Sequence, residues 1–70
     1  MKTTFIVVGF VEHTNEIVFL QEYNNKHEAE LYKSRYESRI SIYDSFEVMK
    51  ETYPDKFISY QDYMKHKYKK

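Results

Sequence analysis

The run Phe5-Ile6-Val7-Val8-Gly9-Phe10-Val11 constrains this chain more than any other part of it. Its β-branched and aromatic residues favour an extended strand, in which successive side chains point to opposite sides. Phe5, Val7 and Val11 then point one way, and Ile6, Val8 and Phe10 the other. Glu16 to Tyr23 is a second such run, with Ile17, Phe19 and Tyr23 opposing Val18 and Leu20. His13-Thr14-Asn15 lies between them, and Asn tolerates positive φ, so the two runs predict a β-hairpin over about 3–23. A hairpin with one solvated face alternates apolar and polar residues. This one does not. One helix of the same chain covers one face; the other must meet more of the chain, a second copy or a partner.

The chain has 70 residues, which makes one small domain, 1–70, with no internal repeat and no low-complexity segment. A domain of that size buries only about 60% of the surface its unfolded form exposes. Small domains usually need a staple. There is no Cys to form one, and His13, His27 and His66 are too widely spaced to suggest a metal set. Aromatic packing or oligomerisation is left. Absence of Cys fits a reducing cytoplasm. The apolar opening is short, is ended by Glu12 and His13, and lacks a small-residue cleavage site, so it reads as a buried strand and not as an export signal. No apolar stretch is long enough to cross a membrane as a helix.

After the hairpin, Asn25 is a good helix N-cap and Glu28 stands at the capping-box position. Ala29, Tyr32, Tyr36 and Ile40 follow at spacings of three and four, predicting an amphipathic helix over about 26–40 that packs on one hairpin face. Tyr43, Phe46, Met49 or Lys50, and Tyr53 continue the period, and Asp44 with Glu47 makes a second capping box. Helix is therefore expected over about 26–53, either continuous to Thr52 or broken near residue 44. Ser41, Asp44 and Ser45 weaken it, and a third strand at 40–43 is the remaining option. Tyr53-Pro54-Asp55 ends the segment, because the residue before Pro avoids the helical region. Ser59 with Asp62 opens a short basic helix over about 60–68. The fold expected is α+β: an N-terminal hairpin followed by two or three helices, in the order ββα-α.

The net charge of zero conceals a split. Residues 1–55 carry six basic and ten acidic side chains, a balance of −4, and residues 56–70 carry five and one, a balance of +4. Such asymmetry bears on partners. Nothing in the sequence has the form of a catalytic motif. His27-Glu28-Ala29-Glu30 is not a zinc-binding helix motif, and Glu belongs in a first helical turn in any case. Gly9 stands alone in a strand, where it marks a bulge or a close approach and not a phosphate loop. No catalytic residue, cofactor or metal is expected. The tyrosines Tyr32, Tyr36, Tyr43, Tyr53, Tyr60, Tyr63 and Tyr68 fall on the expected helices, mostly as core and rim, with the rest as interface anchors.

Short, Cys-free and rich in Tyr, Lys, Glu and Ile, the chain resembles the small early proteins of AT-rich lytic phages. The apolar run 5–11, a short turn and a second strand before a helix are similar in layout. The resemblance implies that such a chain binds and blocks one host machine of transcription, replication or defence, in the host cytoplasm. On that basis the expected function is protein binding without catalysis, through Glu28, Glu30, Glu37, Tyr43, Asp44, Glu47 and Glu51, which can occupy a basic site that normally holds DNA. A homodimer is also expected, from the two apolar hairpin faces. The alternative is nucleic-acid binding by the basic end of the chain, with Tyr63 or Tyr68 stacking on bases and Lys65, Lys67 and Lys69 on phosphates. The ordinary reading of that end is a solvated helix terminus, where Lys suits the helix dipole.

Overall fold

The computed structural model describes residues 1–68; Lys69 and Lys70 lie outside the described residues. Its elements run β1 (Lys2–Val11), β2 (Glu16–Tyr23), α1 (Lys26–Arg39), β3 (Ser45–Tyr53) and α2 (Tyr60–Lys67). The strands form one antiparallel sheet in the order β2-β1-β3. The hairpin turns through Glu12–Asn15, with Asn15 at φ 57° and its N–H donating to the Glu12 carbonyl at 3.3 Å. A positive φ is a conformation Asn adopts more readily than most residues. Asn25 caps α1, its side chain accepting the Glu28 N–H at 2.7 Å, and Ser59 caps α2 by accepting the Asp62 N–H at 3.1 Å.

The fold is α+β, but its order is β-β-α-β-α and not ββα-α. Helix was expected over 26–53; α1 stops at Arg39 and residues 45–53 are a strand. The cause is not local. β1 is apolar in both directions because a helix packs on each face of the sheet, and as the central strand it has its backbone N–H and C=O groups paired on both edges. β2 serves one edge. α1 carries the chain across the sheet, and Ser45–Tyr53 then pairs the other edge in continuous register from Lys2↔Tyr53 to Phe10↔Ser45. Helix in this segment would strand those groups. The second capping box does not form either. The Asp44 carboxylate accepts the Glu12 N–H at 2.6 Å, and the Asp44 N–H donates to the Phe10 carbonyl at 2.8 Å. Residues 40–43, the other expected position for a strand, are part of the connection. Tyr43 and Tyr53 accordingly lie in that connection and in β3, not on helices.

The helices lie on opposite faces of the sheet. On the α1 face, Val7 is fully buried and Ala29 of α1 meets the sheet with no exposed surface. Gly9 makes room for Tyr43: a Cβ there would stand 2.7 Å from the ring. Tyr23 stacks on Tyr32 (4.9 Å between centroids), Tyr36 on Phe46 (6.4 Å), and Tyr43 meets Phe46 edge-on (5.7 Å). The staple of this small domain is therefore aromatic.

Strand alternation predicts Tyr23 on the same side as Ile17 and Phe19, and here the structure differs. Val8 pairs with Phe19 but Val7 with Gln21, so β2 holds one extra residue and its later part changes side. Tyr23 consequently reaches α1. Glu22, opposite Ile6, turns to the other face. There its carboxylate accepts the N–H groups of Tyr60 and Gln61, at 3.1 and 3.2 Å, and the Thr4 hydroxyl at 3.0 Å. A carboxylate from β2 thus caps the first turn of α2, where N–H groups have no helical acceptor.

Candidate interaction surface

α2 covers only the end of its face where β1 begins. Thr4, Ile6 and Tyr53 are buried there. The Tyr53 ring meets Tyr60 at 6.3 Å, Tyr60 meets Tyr63 at 6.1 Å, and Phe57 packs against Tyr63 at 5.1 Å. The Lys2 ammonium donates to the Phe57 carbonyl at 3.0 Å and lies over Tyr53. Burial is the main cause that pushes the Tyr53 and Tyr60 phenols up from their usual value, followed by Glu22 for Tyr53 and Glu51 for Tyr60. On the α1 face, burial and then the neighbouring Tyr36 hydroxyl, at 3.4 Å, push the Tyr23 phenol far up.

The other end of the α2 face is open. Val8, Phe10, Ile17, Ser45, Glu47 and Met49 line a hollow of about 320 Å³. Ile17 is 63% exposed and Met49 39%, although both lie on the same sheet face as the buried Ile6. A second hollow, of about 410 Å³, runs between Phe19 of β2 and Tyr60, Gln61, Met64 and Lys65 of α2. Both are shallow and mostly apolar. Among the described residues, no group of three or more His, Asp or Glu side chains is placed to hold a metal ion. His13 stands in the hairpin turn, His27 in the first turn of α1 and His66 against Phe57 in α2. No helix among the described residues is long and apolar enough to cross a membrane.

The sheet separates the residues expected to bind protein. Glu28, Glu30 and Glu37 are exposed on α1, which has four basic and three acidic side chains and so no acidic surplus. The surplus of residues 1–55 lies in the sheet and its loops, where seven acidic side chains accompany only Lys2 and Lys50. Glu22 and Asp44 are occupied by backbone N–H groups. Glu47 and Glu51 of β3 alternate with Phe46 and Val48 and lie on the α2 face, Glu47 in the wall of the open hollow. Glu12 and Glu16 are exposed at the hairpin end of the sheet, Glu16 opposite Val11 and so on the α1 face. Tyr43 is packed over Gly9 and Phe46 as a core ring. Sequence reasoning missed Val8, Phe10, Ile17 and Met49 as one surface; the two-sided apolar pattern signalled an uncovered face without locating it.

The residues of the alternative site are also divided. Tyr63 is held between Phe57 and Tyr60. Tyr68, 69% exposed, has the Lys67 ammonium over its ring at 5.8 Å. Lys65 lines the second hollow, and Lys69 lies outside the described residues. No family model matches the chain, and no curated protein or solved structure is significantly similar to it.

Proposed function

We propose that this chain is a non-enzymatic protein-binding module that acts as an inhibitor or modulator of another macromolecule, through the open half of its α2 face. The observation that carries this is the apolar hollow of Val8, Phe10, Ile17 and Met49, with Glu47 in its wall and Glu12 in the adjoining hairpin turn. Half-exposed apolar side chains at the centre and charges at the rim are the usual anatomy of a binding surface. The acidic rim suits a target with basic side chains around an apolar protrusion, as on a protein surface that otherwise holds DNA. The resemblance to small early phage proteins supplies the class of target: a host factor of transcription, replication or defence.

The two hollows are open, shallow and mostly apolar, which favours binding over catalysis. Nucleic-acid binding by the basic end stays the second reading, favoured by the exposed Tyr68 beside Lys67. Capture from a bacterial lysate, with and without nuclease, separates the two. A stoichiometric protein retained after nuclease treatment and lost with Ile17→Glu is the expected result. Recovery of nucleic acid alone, with affinity that falls steeply with salt, would replace the first reading by the second.

A further inference from the structure

We infer that the outer edge of β3 takes up an extended segment of the target as a fourth strand, one with basic side chains on either side of an apolar one at alternate positions. This inference rests on the open half of the α2 face being the binding surface, and names the form of target that fits beside it. β3 is an edge strand, in unbroken register with β1 over its nine residues. The other edge is β2, which its extra residue bends. The Phe10 carbonyl accepts the Asp44 N–H and the Glu12 N–H donates to the Asp44 carboxylate, so even-numbered residues of β1 turn their backbone groups toward β3. Opposed residues in an antiparallel ladder alternate between bonded and unbonded pairs. Phe46, Val48, Lys50 and Thr52 stand opposite odd-numbered residues of β1 and therefore present their N–H and C=O groups outward. Among the described residues, no other backbone segment pairs with them.

Pairing along such an edge supplies affinity, and the side chains select the occupant. On the α2 face β3 shows Glu47, Met49 and Glu51 in succession, with Glu47 and Met49 exposed at the open hollow. An added strand sets its side chains about 5 Å from those opposite. Lys or Arg then meets each carboxylate, and an apolar residue beside Met49 continues the lining of the hollow. On the other face, the exposed Lys50 suits an acidic residue. A second copy of this chain fits poorly. Full antiparallel pairing of two β3 edges centres on Met49 and sets each Glu47 opposite a Glu51, where like charges repel.

An NMR titration of the isotope-labelled full chain with the capped peptide Thr-Lys-Glu-Val-Thr-Lys-Val tests this. Laid antiparallel from Thr52 to Phe46, the peptide puts Lys opposite Glu51 and Glu47, Val opposite Met49 and Glu opposite Lys50. Saturable binding at roughly 100 µM is expected. Hydrogen exchange should slow at the outward Val48 and Lys50 amides and change little at Glu47 and Met49, which already face β1. Exchanging Lys and Glu within the peptide should weaken binding by about tenfold or more. Lys50→Pro deletes one outward N–H and leaves the ladder to β1 intact, so it should weaken binding with unchanged circular dichroism. Lys50→Thr, which keeps that N–H, should bind more tightly than Lys50→Pro. No binding at roughly 1 mM peptide, no slowing at Val48 and Lys50, equal affinity for the two peptides, or equal binding by the Pro and Thr variants would overturn the inference. Lysate capture that is lost with Ile17→Glu and kept with Lys50→Pro would also overturn it while leaving the proposed function standing, so the two fail separately.

Discussion

The two faces of the sheet are built from the same three strands and are closed in different ways. Under α1, Val7, Gly9 and Phe46 are sealed by a helix that crosses the whole sheet and by rings from both sides of it. Under α2, only the end near Thr4 and Tyr53 is sealed, and the helix is held there by Glu22 and a few aromatic contacts. The difference separates what stabilises the domain from what is available to a partner. Substitutions on the first face should cost stability and those in the open hollow should cost binding.

The largest effect is expected on the α1 face. Phe46→Ala removes a ring that touches Tyr36 and Tyr43, and should cost about 3–5 kcal/mol in urea denaturation, close to the whole stability of a small domain. A loss below about 1 kcal/mol would mean that this face is not the core. Gly9→Ala drives a methyl group against the Tyr43 ring and should cost about 1–3 kcal/mol. The same change in a Tyr43→Ala background should be nearly neutral, as a double-mutant cycle would report.

On the α2 face, Glu22→Ala should cost about 1–2 kcal/mol by freeing the Tyr60 and Gln61 N–H groups. Hydrogen exchange would place the loss in α2 and leave β1 and β3 protected. Equal loss across the sheet would contradict a separately docked helix.

The phenols give a pH signature on both faces. Tyr23, Tyr53 and Tyr60 have folded-state pKa values raised above the ordinary 10.0, chiefly by burial. The fold favours the neutral phenol, so this contribution is fully present below the unfolded value and is lost as pH rises through the folded ones. Stability should therefore fall at alkaline pH above about 10. Tyr23→Phe should remove part of that slope in denaturation curves recorded against pH. The smallest change in stability is expected in the open hollow: Ile17→Ser should stay within about 0.5 kcal/mol of the parent chain, while abolishing lysate capture.

Much of the fold was legible where the signal was local. The hairpin, its Asn15 turn and both helix starts rest on side chains acting within a few residues, and Asn25 and Ser59 cap the helices they were expected to cap. The apolar character of β1 in both directions announced two covered faces. The interaction surface was legible only in part. Glu47 stood among the expected residues, but Glu28, Glu30 and Glu37 lie on the helix of the other face, and sequence proximity carries no information on which side of a sheet a residue lies.

By itself the sequence determined the pieces: two strands joined by a turn, a capped helix bearing Ala29, Tyr32 and Tyr36, and a short basic helix after Pro54. Tertiary structure decided residues 45–53 and the sidedness of β2. Phe46, Met49 and Tyr53 fit a helical period, and strand was chosen because the far edge of β1 needed backbone partners. One extra residue in β2 sent Tyr23 to α1 and Glu22 to α2. Both outcomes depend on hydrogen bonds between residues distant in sequence, which no local propensity encodes.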